Sequence, residues 1–186
     1  VRRGEDEIAA GVAVMLERVV LGRGHVLEMR RHDDQVVVLR ELVAECDRVV
    51  KYIDMPLQHI SDPLLDVMRR RVTRKEIETL LSKLREWVPG IAIRTTFIAG
   101  SPGETEAQHK ELLKFVKDFG FDMMGVFPFS PEPGTPMGRM GGQLSDEVKQ
   151  ARVEELMLAQ QEVAFAKAKS MKGKTIEVLI DRPAGR

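Results

Sequence analysis

The chain has 186 residues, enough to bury a hydrophobic core as one ordinary domain with a short appendage, and 43% of them are hydrophobic. Lysine plus arginine and aspartate plus glutamate each number 29, and this zero net charge argues against binding of nucleic acid through a dominant basic surface. No apolar run approaches the roughly 20 residues that cross a bilayer and no secretion signal opens the chain, so we expect a cytoplasmic protein without a membrane partner.

The first clear signals of secondary structure begin after residue 38. Residues 1–38 show no firm pattern. Residues 39–45 are typical of a helix, and residues 49–55 are typical of a strand that ends at Pro56.

Helix-start signals follow this strand. A short helix is predicted over residues 63–70, with Asp62 as its N-cap. Thr73 and Glu76 have the spacing of a capping box, which predicts an amphipathic helix that Pro89 and Gly90 end.

Strands and helices alternate through the next part. Residues 91–99 predict a strand, a helix begins at Glu104 or Thr105 and ends at Gly120, and residues 123–129 predict a third strand. Three strands separated by helices predict βαβ crossovers and therefore an α/β fold with a parallel sheet.

The last part of the sequence predicts a long helix that connects the sheet to a further module. A loop rich in proline and glycine covers residues 130–142, and Ser145 then caps a long helix that runs to about Lys169. Residues 174–181 predict a final strand.

The stretch RTTFIAGSPGET, residues 94–105, is the strongest signal of a ligand site. Its strand ends in glycine and turns into a helix, where α/β proteins hold small polar or anionic ligands. We expect free backbone N–H groups and the helix dipole to point into this crevice. Glu104 lies beside it, placed to receive a cationic or hydroxyl-bearing group.

Three segments are expected at the carboxyl edge of the sheet, where ligands gather: residues 56–59, 100–104 and 128–130. Gln58 and His59 could bind a ribose or a carboxylate, although a histidine in such a position is more often a loop or cap residue. Arg94, inside a strand, either needs an anionic partner or lies exposed at the strand start.

Two further groups of residues give weaker signals. Arg69, Arg70, Arg71, Arg74 and Lys75 could hold phosphates, but such runs are more often solvated helix ends. His25, His32 and Cys46 match no zinc spacing, so we predict no metal site. Cys46 is the only cysteine, which excludes an iron–sulfur cluster held by three or four cysteines of this chain.

Taken together, three stretches resemble the methylthiotransferase family of radical S-adenosylmethionine enzymes. They are KYIDMPLQHISDPLLDVMRRRVTR, IRTTFIAGSPGETE and GVFPFSPEPGTP. The residues of these stretches are most similar to those of the branch that adds a methylthio group to an aspartate of a small-subunit ribosomal protein. The branch that modifies an adenosine of tRNA is the alternative.

The resemblance implies a fold, a cofactor and site residues. The fold would be the C-terminal half of a radical-SAM, partial TIM-like barrel over residues 39–144. A bridging helix, residues 145–172, would lead to the first strand of a truncated TRAM-like β-barrel over residues 173–186, with residues 1–38 unassigned. S-adenosylmethionine would be contacted by a set of seven residues: Gln58, Arg94, Gly100, Glu104, Val126, Phe127 and Pro128.

The chain also departs from the family pattern. The family's [4Fe–4S] clusters need cysteines that this chain does not carry, and the first residue is Val1 rather than methionine. We therefore expect a fragment without methylthiotransferase activity of its own. The alternatives are a cluster-free module that binds S-adenosylmethionine or a ribosomal partner, and an independent α/β domain that binds a phosphate-bearing ligand.

Overall fold

The computed structural model describes residues 19–21, 25–27, 43 and 49–175. The strands are β1 Val19–Leu21, β2 His25–Leu27, β3 Tyr52–Gln58, β4 Ala92–Ala99 and β5 Met123–Pro128. The helices are α1 Asp62–Val67, α2 Arg74–Trp87, α3 Glu106–Phe119 and α4 Asp146–Ser170, with one 3₁₀ turn at Met137–Arg139.

The central feature is a parallel sheet in the order β3-β4-β5. Ile53 of β3 lies opposite Ile93 of β4, and Thr95 of β4 lies opposite Met124 of β5. Helices α1 and α2 connect the first pair of strands, and α3 connects the second pair. The prediction of an α/β fold with βαβ crossovers is confirmed. β1 and β2 form a separate antiparallel pair.

The two faces of this sheet have different environments. Side chains alternate along β3 and β4, and one set is buried in a single core with the inner faces of α2, α3 and α4. Phe97 packs edge-on against Phe115 and Phe121 in this core, with ring centroids 6.4 and 5.8 Å apart. The other face carries half-exposed polar side chains and Phe127, which is 61% exposed.

The helix ends follow the signals in the sequence. The Thr73 hydroxyl accepts from the N–H of Glu76, whose carboxylate accepts from the N–H of Thr73, which confirms the capping box. Ser145 caps α4 by accepting from the N–H of Val148. Gly120 ends α3 at φ +68°, a left-handed conformation that favours glycine.

Several predicted element boundaries are wrong: the helix predicted over residues 63–70 ends at Val67, and the strand predicted from residue 49 begins at Tyr52. The strand expected to end at Pro56 continues to Gln58, with an irregular register between Met55 and Gln58 that lets proline sit in the strand. Asp62 is not the N-cap of α1, because the helix begins at Asp62 and Ser61 precedes it. The Asp62 carboxylate instead accepts from the N–H of Arg74 at 2.6 Å and so ties α1 to α2.

Several sequence predictions concern residues that lie outside the described ranges. They are the helix over residues 39–45, apart from the buried Val43, and the strand over 174–181 beyond residue 175. Within the described residues, no helix is both long and apolar enough to cross a membrane.

Candidate ligand site at the carboxyl edge of the sheet

The three segments expected at one edge of the sheet do lie together there. β3 ends at Gln58, β4 at Ala99 and β5 at Pro128, and Ala99 lies directly opposite Pro128. The N–H of Phe129 donates to the carbonyl of Ala99 at 2.8 Å, which keeps the last two strands paired beyond their ends. The edge is therefore a continuous border onto which the loops after all three strands open.

The loop after β4 is held by its own glutamate. One carboxylate oxygen of Glu104 accepts from the N–H groups of Gly100 and Ser101 at 2.7 and 3.0 Å. The N–H of Gly103 donates to the carbonyl of Gly142 at 2.9 Å. The expectation of free backbone N–H groups in this loop is therefore wrong: these amides are already satisfied within the protein.

The second oxygen of Glu104 pairs with α4. Nη1 of Arg152 donates to this oxygen at 2.9 Å and to the Glu104 carbonyl at 3.0 Å. The Glu104 and Arg152 side chains are 0% and 9% exposed, so the ion pair is buried. Nδ1 of His109, from α3, lies 3.9 Å from the same oxygen. A buried carboxylate needs such partners, because removing it from water without them is costly.

Gly100 lies at the point where α4 touches the loop. Its φ is +79°, and a Cβ there would lie 2.4 Å from Cγ of Lys149. Lys149 is itself buried and its ammonium group pairs with Asp146 at 3.0 Å. Gly100 is thus required both by the backbone turn and by the close approach of α4.

His59 is a buried loop residue without a positive charge at neutral pH. Its Nδ1 accepts from the N–H of Ser61 at 3.0 Å. Burial, and next the neighbouring His109 and Arg152, lower its pKa to about 4. Because Nδ1 accepts, the neutral ring carries its proton on Nε2, which has no hydrogen-bond partner among the described residues.

Gln58 and Arg94 occupy different environments. Gln58 has φ +71°, and its buried Oε1 accepts no hydrogen bond from the part of the chain that the structure describes. Arg94 donates to Asp54 on the neighbouring strand at 2.6 Å, with the two side chains 46% and 36% exposed. Asp54 raises the pKa of Arg94, which stays positively charged on the open face of the sheet.

The three candidate residues of β5 divide between the two faces. Val126 lies opposite Phe97 and packs against the core, whereas Phe127 lies opposite Ile98 and is largely exposed. Pro128 is exposed at the end of the strand. Of the three, Phe127 is therefore the side chain that offers an open aromatic surface, four residues along the strands from Arg94 and its partner Met123.

Sequence reasoning missed the contribution of α4. Arg152 and Lys149 lie more than 40 residues from the Gly100 loop in sequence and belong to no motif. The only available signal was two cations on a helix that has to pack against a sheet.

Comparison with known proteins identifies relatives of this chain. It is 46% identical over 141 residues to the ribosomal protein uS12 methylthiotransferase RimO of Bdellovibrio bacteriovorus, which covers 76% of this chain and 31% of that protein. It is 46% identical over 145 residues to the protein of the same name from Akkermansia muciniphila, with 78% and 32% covered. The chain thus spans about a third of the length of the curated relatives it matches. No protein-family model matches it.

The fold has a counterpart among solved structures. The coproporphyrinogen III oxidase HemN of Escherichia coli, described as a radical SAM enzyme, matches with a TM-score of 0.56 and 22% identity over 68% of this chain and 29% of that one. The resemblance to methylthiotransferases and the expected radical-SAM type of α/β fold are both confirmed.

The buried Glu104–Arg152 pair makes a stability prediction. Glu104→Gln and Arg152→Met each remove the main ionic partner of a buried charge, and each should lower the free energy of unfolding by about 3 kcal/mol. The double variant should lose less than the sum of the two, because no isolated charge remains. Urea unfolding followed by circular dichroism measures all three. Strictly additive losses would show that the pair is not coupled.

The lowered pKa of His59 predicts that the free energy of unfolding depends on pH. Its pKa falls from an ordinary value near 6.5 to about 4 on folding, so between these pH values the unfolded chain binds the additional proton and stability decreases as the pH falls. A shift of this size corresponds to about 3 kcal/mol. His59→Gln should flatten the dependence of unfolding free energy on pH between pH 6.5 and 4. An unchanged slope in that variant would assign the pH dependence to other groups.

Proposed function

Since this chain is related to ribosomal-protein methylthiotransferases over three quarters of its length and has the fold of part of a radical SAM enzyme, we propose that it is a segment of such a methylthiotransferase. The intact enzyme would add a methylthio group to an aspartate of a small-subunit ribosomal protein. The observation that carries this proposal is the 46% identity to proteins named for uS12 modification. That name favours the ribosomal-protein branch over tRNA modification.

Residues at the carboxyl edge and on the open face of the sheet offer groups that suit the parts of S-adenosylmethionine. Phe127 offers an exposed ring for the adenine, between Val126 and Pro128. Gln58 ends β3 at this edge, and its buried Oε1 accepts no hydrogen bond from the described residues, which makes this side-chain amide the candidate partner of the ribose or the methionyl amine. Arg94 stays positively charged on the open face and can meet the methionyl carboxylate while it remains beside Asp54.

Gly100 and Glu104 would serve the same site in a different way. Both oxygens of Glu104 are engaged by the Gly100 loop and by Arg152. We therefore assign Glu104 the role of holding the loop in shape, while Gly100 provides the turn at φ +79° and lets α4 pack closely against the loop. This differs from direct contact of the Glu104 carboxylate with the ligand.

The iron–sulfur cluster does not fit the residues of this chain. In the family it supplies the electron that cleaves S-adenosylmethionine, and it needs several cysteine thiolates. This sequence has Cys46 alone. We therefore propose that the 186-residue chain has no methylthiotransferase activity by itself. The single cysteine also favours a second candidate function, a module that binds S-adenosylmethionine without chemistry.

Isothermal titration calorimetry with S-adenosylmethionine tests the proposed site. The chain should bind the ligand, and Phe127→Ala should weaken binding by at least about fivefold, because stacking of a base on an aromatic ring contributes roughly 1–3 kcal/mol. Phe165→Ala is the matched control: Phe165 is 65% exposed on α4, and its removal should leave affinity unchanged. Absence of binding by the unmodified chain would contradict the proposal.

Anaerobic reconstitution with iron and sulfide tests the second part. The 186-residue chain should give no stable [4Fe–4S] spectrum, and Cys46→Ser should behave like the unmodified chain. A stable cluster that survives desalting would show that this chain holds the cofactor without further cysteines.

A further inference from the structure

A groove of about 350 Å³ lies beside the proposed adenosine site. One wall is the end of α1 and the loop after it, with Met68 and Arg69, and the other is the loop after β5, with Phe129, Glu132 and Met137. Phe129 directly follows Pro128 and is bonded to Ala99 through its backbone N–H. The groove therefore adjoins the carboxyl edge of the sheet, and its walls are mainly apolar.

The arginines between the end of α1 and the first turn of α2 divide into paired and unpaired ones. Arg70 is half-buried and donates to the carbonyl of Pro56 at 2.7 Å, so it fastens the loop to the end of β3. Arg74 is paired with Glu78 and Glu111 at 2.7 and 2.6 Å. Arg69 is exposed and forms no ion pair with any residue in the described part of the chain.

The backbone holds Arg69 in an unfavourable conformation. Its φ is +56° and that of Arg71 is +47°, in the left-handed region that residues other than glycine rarely adopt. The N–H of Arg69 donates to the carbonyl of Asp66 and that of Arg70 to the carbonyl of Leu65, which fixes this turn. This is a common geometry at a helix C-terminus, and it fixes the position of Arg69 at the edge of the groove.

The charges in the groove select among ligands. Among the described residues, Arg69 and Glu132 are the only charged groups that line it, and the Ser130 hydroxyl donates to Glu132 at 3.3 Å. One cation beside one carboxylate and apolar walls suits a single carboxylate on a peptide. It disfavours a nucleic acid strand, whose successive phosphates would meet Glu132.

We propose that this groove binds the segment of the ribosomal protein that carries the modified aspartate, with Arg69 paired to a carboxylate of that segment. The inference rests on the proposed function and adds the position of the protein substrate. Met68, Phe129 and Met137 would pack against apolar side chains next to the acidic residue. The peptide would then lie directly beside the proposed adenosine wall.

The test uses the 186-residue chain and a short synthetic peptide that covers the modified aspartate. Arg69→Gln should weaken peptide binding roughly tenfold, because a charge-assisted pair is lost, and Arg69→Lys should restore part of it. Arg71→Gln is the matched control, since Arg71 has the same charge and backbone conformation but does not line the groove. Glu132→Gln should tighten binding. Replacing aspartate by asparagine in the peptide should abolish the effect of Arg69→Gln.

Methyl NMR of the same chain locates the peptide. The Met68 and Met137 methyl signals should shift on peptide addition, whereas that of Met157, exposed on α4, should not. The inference would be overturned if the Arg69 and Arg71 variants lost peptide affinity equally. It would also be overturned if a single-stranded RNA displaced the peptide and its binding depended on Arg69 in the same way. Binding of S-adenosylmethionine without peptide binding overturns this inference alone, whereas binding of neither overturns the proposed function as well.

Discussion

The buried carboxylate of Glu104 is the constraint on which the carboxyl edge of the sheet depends. One of its oxygens satisfies two backbone N–H groups of the loop after β4, and the other pairs with Arg152 from α4. Because a buried carboxylate is unfavourable without such partners, the loop, the start of α3 and the long helix must pack together. The shape of the proposed ligand loop is therefore a property of the packed domain.

One face of the sheet is covered by helices and the other is open, and this explains which face a ligand can reach. The helices and the phenylalanine cluster occupy one face and leave no room there for a ligand. The open face presents Arg94 with Asp54, and Phe127 beyond them. The relation to methylthiotransferases gives this open face a proposed occupant, and the groove at Arg69 gives the proposed protein substrate a place beside it.

Local signals in the sequence predicted the architecture well. The alternation of strands and helices depends on periodicity, and the capping box at Thr73 depends on hydrogen bonds within one turn of chain, so short windows contain the necessary information. The prediction that the first parallel strand ends at Pro56 was wrong, although proline usually ends a strand. Thr95 on the neighbouring strand accepts from the N–H of Leu57 and donates to the carbonyl of Met55. A side chain 40 residues away thus allows the irregular pairing.

By itself, the sequence determined the α/β alternation, the glycine turn after β4 and the resemblance to one enzyme family, because each depends on residues that are close together in the sequence. Only the tertiary structure decided what those residues do. Glu104 faces inward to Arg152, the loop amides are occupied, and among neighbouring arginines Arg70 is anchored while Arg69 extends into a groove. The physical reason is that burial and charge pairing depend on which distant side chains arrive at the same place, and that is settled only when the helices pack on the sheet.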